Sequence, residues 1–389
     1  MAEDAGVAAA VAAMLERELD RMLEAIAGLV GIDSGSGTVA GVDAVSGWAA
    51  RFLAEVGFTV ERRAVPGIGD QVTATRRGEG PRVLVVGHAD TVWPAGTAAA
   101  WPFAHAGEEI SGPGVGDMKA ALVMACHALR ALAAAGALEG RSVRVLIVPD
   151  EELGSPHSRS WIEDEAAGAD ACLGLEAATP GGGVVVARGA VGAMTVRARG
   201  RTAHVTEPGG EPASAVSALA PLVSRLEGLS DRPAGVTVSV GRFAGGEARQ
   251  VVPGAAEMAV DLRAPTPAAA EEVLARVRSE IAAASPPAGV DISVEGGFTR
   301  PPFAQTGAGR TLYALAEKAC AELGAGIYPR SERGGSDASF PAALGVPTLD
   351  GLGPVCRDSC SSRERVDVAS IAERGAVFAA LVAQAPASA

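Results

Sequence analysis

The chain is poor in aromatic residues, poor in positive charge and poor in cysteine, and no histidine follows His204. Phe, Trp and Tyr make up 4% of its 389 residues, so the core must pack through small and β-branched side chains. The 33 Lys and Arg are outnumbered by 46 Asp and Glu. The resulting net charge of −13 argues against nucleic acid or anionic membrane as a partner. An anionic substrate must then be met by local arginines. Five scattered cysteines do not make a secreted disulfide framework. Cys126 and Cys172 lie in apolar segments and read as core residues. No apolar run approaches the roughly 20 residues of a membrane span. The opening stretch MAEDAGVAAAVAAMLERELDRML lacks the basic start of a signal peptide and carries Glu16, Arg17 and Glu18. It reads as an amphipathic first helix, and the protein as cytoplasmic.

What is present is the composition of a globular protein, 48% hydrophobic and 20% charged. The length suggests roughly two domains. In the first half, helical segments such as VSGWAARFLAEVG and DMKAALVMACHALRALAAAG alternate with strand-like runs. The runs are RVLVVGHADTV, RSVRVLIVPDEELGS and DACLGLEAA. Continuous apolar strands between helices predict an α/β fold, a mostly parallel sheet with helices on both faces. Ligands of such sheets bind beyond the carboxyl ends of the strands. There the sequence collects His88 and Asp90, then Asp150, Glu151 and Glu152, then Glu176. The middle third alternates strands (AMTVRARG, GVTVSVGRF, EMAVDLRA, DISVEGG) with two helices, the pattern of a compact α+β unit. The simplest architecture is a discontinuous catalytic domain, 1–191 and 297–389, with an inserted α+β domain at 192–296.

Each of these acids, taken alone, reads as a solvated or capping residue. Their coincidence at one rim is what points to a metal. Asp117, after the Gly-Pro-Gly loop of SGPGVGDMKA, needs no role beyond helix capping, but a carboxylate there could also bridge two cations. One histidine among several carboxylates suits zinc or a similar divalent ion.

The segments HADTV, GPGVGDMKA, DEELGS, GLEAA, GRTAH, TRPPF, GGSDAS and ERVDVASI occur in that order. Together they resemble the zinc-dependent family of glutamate carboxypeptidase, acetylornithine deacetylase, succinyl-diaminopimelate desuccinylase and aminoacylase, over nearly the whole chain. The resemblance is strongest, motif by motif, to glutamate carboxypeptidase. It implies a catalytic domain holding two metal ions, zinc first and cobalt or manganese as alternatives, and an inserted lid domain that forms a homodimer. It implies that His88, Asp117 and Glu176 hold one metal, with Asp117 shared, and that Glu152 holds the second. By the same resemblance Asp90 orients His88 and Glu151 is the general base that activates the attacking water. His204 reaches the reacting oxygen from the neighbouring subunit. Arg300 and Arg263 grip substrate carboxylates, since a guanidinium suits bidentate binding. Gly334, Gly335 and Ser336 of GGSD supply backbone donors; by itself that motif could equally be a helix start.

Two positions depart from the family pattern. Gln250 stands where asparagine is usual, and Cys360 where the last metal-binding histidine belongs, six residues before Val366. The other histidines do not rescue it: His105 and His127 read as surface or helix residues, and His157 lies on the wrong segment. Three roles are open to Cys360: a thiolate ligand, a non-ligand that leaves the second metal weak, or a nucleophile. Cys356 nearby reads as a spare thiol that could pair with it under oxidising conditions. The expected activity is metal-dependent hydrolysis of an amide next to a carboxylate in small N-acyl amino acids or dipeptide-like compounds. Two rivals stand beside it: non-hydrolytic acyl transfer, cyclisation or thiol chemistry on the same scaffold, and a catalytically silent binding protein.

Overall fold

The structure, a computed structural model, describes residues 6–206 and 213–387. Two compact units emerge. The first comprises Met1–Ala187, Ala304–Ser331 and Ser336–Ala389; the second comprises Arg188–Phe303 and Glu332–Gly335.

The first unit is built on a six-stranded sheet. Its order is Thr59–Val65, Gly69–Arg76, Ser142–Val148, Arg82–His88, Ala171–Gly174 and Thr348–Leu349. The last four strands run parallel, and only Gly69–Arg76 opposes its neighbours. The apolar run of Arg82–His88 is explained by burial on both faces. Val83 and Val85 join a large cluster with the helices Val39–Glu55, Ala120–Ala134 and Val368–Gln384. Leu84 and Val86 point the other way, into a cluster with Ile162, Ala166 and Phe340. The sheet is therefore covered on both faces, as parallel sheets must be. In register, His88 lies opposite Val148 and Val86 opposite Gly174, so two strands end together and the third stops two residues earlier, with Glu176 just beyond its end.

The N-terminal segment forms two helices, Val7–Arg17 and Leu19–Val30, rather than one. They meet at Glu18, whose carboxylate is drawn to His127 at 2.9 Å and Arg130 at 2.5 Å. His127 is accordingly no surface residue. It is buried in Ala120–Ala134 against Phe52, with ring centroids 4.8 Å apart. Cys126 and Cys172 are buried.

The second unit is a four-stranded antiparallel sheet, ordered Thr237–Gly245, Ala255–Ala264, Ala190–Arg199, Asp291–Arg300. With the helices Ala215–Glu227 and Pro267–Ala282 this is a split βαβ arrangement. Alternating residues Met194, Val196, Met258, Val260 and Leu262 face Leu219, Leu222, Val273 and Val277. Boundaries at 192 and 296 would cut through the ladder, because Ala190 pairs with Ala264 and Val191 with Arg300. The segment 332–335 joins this unit through Gly189 N–H, which donates to Glu332 O at 2.9 Å.

The buried His127 makes a prediction. Burial, then the Arg130 charge, pushes its pKa down to about 4, although Glu18 pulls the other way. Between about 6.5 and about 4 the unfolded chain binds a proton that the folded chain refuses, so stability falls as pH drops through that window. Glu18, whose pKa is lowered, loses its contribution only at more acid pH. His127→Gln should lessen the pH dependence across the window by on the order of 2 kcal/mol. Urea midpoints between pH 4 and 7 measure this, and an unchanged slope would remove His127 from the account.

Candidate active site

Three strand ends bring the chemistry together. His88 closes its strand with 1% of its surface exposed. Its Nδ1 lies 2.9 Å from Asp90 O and 3.3 Å from Asp90 Oδ1. Its Nε2 faces Asp117 Oδ1 at 3.0 Å and Glu176 Oε1 at 3.9 Å. Asp90 is fully buried and holds more than the imidazole. Its Oδ1 accepts from Glu151 N–H at 3.1 Å, and its Oδ2 from Glu152 N–H at 3.1 Å and Ser36 O–H at 2.7 Å. The two glutamates sit on a short turn, Glu151–Leu153. His88, Glu151 and Glu176 form one set of possible ligands and His88, Asp117 and Glu152 another, each within 4.8 Å of one another.

Asp117 is not a helix cap. The helix begins at Ala120, and Asp117 keeps an extended backbone in the loop before it. Glu364 docks that loop: its Oε1 accepts from Gly116 N–H at 2.6 Å and Asp117 N–H at 3.1 Å. Position 116 must be glycine, because a Cβ there would lie 2.3 Å from Cys356 Sγ. The free Asp117 Oδ2 accepts from the Cys360 thiol at 3.1 Å and Ser359 O–H at 3.3 Å. Asp117 thus faces His88 with one oxygen and Cys360 with the other. Cys360, at φ 57°, belongs to neither ligand set among the described residues. Cys356 and Cys360 are both free thiols, Cys356 buried.

The electrostatics of this cluster are those of an anionic cage. Burial, then Asp117, pushes the pKa of Glu152 up to about 9. Burial, then Asp117 and Glu151, carries Glu176 well above the usual range. His88 is raised despite burial, by hydrogen bonds to Asp117 and Asp90. Glu152 Oε1 is buried with no hydrogen-bond partner among the described residues. An imidazole, crowded carboxylates and an orphaned carboxylate oxygen are the donor set of hard or borderline divalent cations. The residues present fit a metal.

The remaining predicted residues are distributed differently. On the second unit, His204 is exposed beside Gln250, whose carbonyl accepts from Val205 N–H at 3.1 Å. Thr206 Oγ1 lies 2.8 Å from His204 Nδ1. The fork of Arg263 is taken by Asp261, at 2.8 and 2.9 Å. Arg300 is buried, and a Cβ on Gly335 would meet its Cδ at 2.4 Å. Gly334 and Gly335 act as acceptors here, their carbonyls receiving Arg188 Nη1 at 3.1 and 3.2 Å. Ser336, in the first unit, accepts from Ala338 N–H at 3.2 Å ahead of the short helix Ser339–Ala343. Ser336 thus stands at a helix start, as its motif also allowed. His157 is exposed, with its N–H donated to Asp150 at 2.8 Å. Ser36 and Glu364 were missed by sequence reasoning. Glu364 stood in plain view in ERVD, but nothing local says which N–H groups it meets.

The chain matches Peptidase family M20/M25/M40 over residues 84–384. It belongs to that family. Carboxypeptidase G2 of Pseudomonas sp. (strain RS-16) is 28% identical over 379 residues, covering 94% of this chain and 89% of that protein. Succinyl-diaminopimelate desuccinylase of Alkalilimnicola ehrlichii is 30% identical over 321 residues, covering 78% of this chain and 83% of the relative. The fold is shared with the YXEP protein of Bacillus subtilis, described as a dinuclear metal-binding peptidase of this family. There the TM-score is 0.66 at 18% identity, covering 95% of this chain and 98% of that one. This M20 peptidase is a metallo-hydrolase of amide bonds. Among its described residues no helix is long and apolar enough to cross a membrane.

Glu364 offers a direct test of how the cluster is held. Glu364→Ala removes the acceptor for both N–H groups and should weaken metal binding about 10–100-fold, the usual cost of losing a partner behind a ligand. Glu364→Gln keeps one acceptor oxygen and should lose less. Chelator-competition titration reads both, and unchanged affinity in the alanine variant would count against the assignment.

Proposed function

We propose that this M20 peptidase hydrolyses the amide bond next to a carboxylate in small N-acyl amino acids or dipeptide-like substrates, with two zinc ions. The observation that carries the reading is the packing of Asp117, Glu151, Glu152 and Glu176 around the buried His88. His88, Asp117 and Glu176 would hold one ion, and Asp117, Glu152 and Cys360 the other. Zinc there supplies a Lewis acid for the scissile carbonyl and makes water acidic enough to yield hydroxide near neutral pH.

The chain's own groups have distinct tasks. Glu151 takes the proton of the attacking water and returns it to the leaving amine. Asp90 fixes which nitrogen of His88 carries its proton, and so leaves Nε2 free to ligate. The two faces of Asp117 support a bridging role, since one oxygen meets His88 and the other Cys360. The thiol favours ligation over nucleophilic attack. Nucleophilic cysteines are activated by cations or helix N-termini, whereas Cys360, an exposed residue, turns its thiol to the Asp117 carboxylate, and loss of water around the sulfur, then Asp117, raises its pKa. A thiolate donates more charge than imidazole and leaves zinc a weaker Lewis acid, which favours activated amides. Arg300 would grip the substrate carboxylate. His204, with Gln250 beside it, would serve a neighbouring subunit's reacting oxygen, which requires a homodimer formed through the second unit. Sedimentation analysis should give a dimer; a fully active monomer would remove His204 from the mechanism.

Metal analysis with a screen of N-acyl amino acids tests the reading. Glu151→Gln should keep its metal and lose at least about 100-fold in turnover. Cys360→Ser should lose one metal per chain and Cys360→His retain both, because hydroxyl is a far poorer zinc ligand than thiolate or imidazole. Unchanged stoichiometry in the serine variant would defeat the ligand assignment.

A further inference from the structure

A small cavity of about 250 Å³ lies in the first unit between the edge ribbon, Thr59–Val65 with Gly69–Arg76, and the helix Arg159–Ala166. It shares no residue with the metal-binding cluster. Across the ribbon Glu61 pairs with Thr73 and Arg63 with Gln71, and residues opposite one another point to one face. These four line the cavity. Trp161 and Glu165, one helical turn apart, face them.

Two of the lining charges are already engaged: Arg62 is paired with Asp70 at 2.8 Å, and Glu165 with Arg144. Glu61 and Arg63 are exposed and form no ion pair among the described residues. Two apart on the strand, they set one negative and one positive group about 7 Å from each other. Beside them is a buried acceptor that lacks a donor. Gln71 is 2% exposed, and its Oε1 has no hydrogen-bond partner among the described residues. The amide is held in this sense. Its Nε2 donates to His157 O and Ser158 Oγ, both at 3.1 Å, and the Ser158 hydroxyl donates in turn to Asp150 at 2.5 Å. Turned round, Oε1 would meet the His157 carbonyl.

We propose that this cavity binds a free α-amino acid with an apolar or aromatic side chain, at a site separate from the catalytic one. The α-ammonium supplies the donor that Gln71 Oε1 lacks and meets Glu61. The α-carboxylate meets Arg63, whose guanidinium suits it. The side chain lies on Trp161, which is set beforehand by packing against the cluster of Leu84, Val86 and Phe340. A lone carboxylate would use only Arg63, and a lone amine only Glu61 and the amide oxygen; a zwitterion uses all three. The volume suits one amino acid rather than a peptide. The inference stands without the hydrolase reading, although a free amino acid is what the proposed hydrolysis releases.

The test uses the full, metal-loaded chain labelled with fluorotryptophan, which reports from four indoles, the Trp161 signal being assigned with Trp161→Phe. L-Phenylalanine should shift that signal in fluorine NMR. It should bind at least about 10-fold tighter than phenylpropanoate, which lacks the ammonium, or phenylethylamine, which lacks the carboxylate. Arg63→Ala should bring L-phenylalanine down to the affinity of the amine, and Glu61→Ala to that of the acid. Both positions are exposed, so neither variant threatens the fold. A Trp161 signal unmoved by L-phenylalanine would overturn the proposal. If Trp93 alone responded, the amino acid would belong to the catalytic site; if no indole did, the cavity would hold only water. Equal affinity for the three compounds would also overturn it, as the behaviour of a plain apolar crevice, and so would unchanged affinity in both variants.

Discussion

The buried carboxylate of Asp90 is the tie on which the site depends. It meets His88 on one side, and on the other accepts the N–H groups of Glu151 and Glu152 and the hydroxyl of Ser36. One side chain thereby sets the imidazole's orientation and the backbone of both acids. The strands Arg82–His88 and Ser142–Val148 pair in parallel register, which puts their ends within its reach. Remove that register and the acids would be solvated surface residues. A buried charge is tolerable here because every approach to it is a donor.

The cluster that Asp90 organises is unfavourable by itself. Glu152 and Glu176 are driven toward their neutral forms by burial and by each other's neighbours. A cage of acids with one buried imidazole stores electrostatic repulsion that a divalent cation relieves, which is how a protein couples metal binding to folded-state stability. Cys360 changes the terms of that exchange. Its thiol hydrogen bonds Asp117, so a metal taking this position must displace the thiol proton as well as satisfy the carboxylates.

The sequence by itself determined the class of fold and the inventory of the site. Continuous apolar runs followed by acids can be read locally, because burial on both faces leaves polar residues only at strand ends, and those runs became the central strands. The absence of any histidine after His204 was likewise visible in one dimension, and with it the singular position of Cys360. The bond between Asp261 and Arg263 follows from the sequence too, since residues two apart on a strand share a face. Only tertiary structure decided who meets whom. Glu364 and Gly116 are 248 residues apart, and their hydrogen bond exists because distant segments fold over one another. The release of Asp117 from helix capping, the break of the first helix at Glu18 and the extent of the second unit were decided by partners remote in sequence. Local propensity fixes which groups are available at an element's end; long-range packing chooses their partners, and charge and metal affinity follow from the partners.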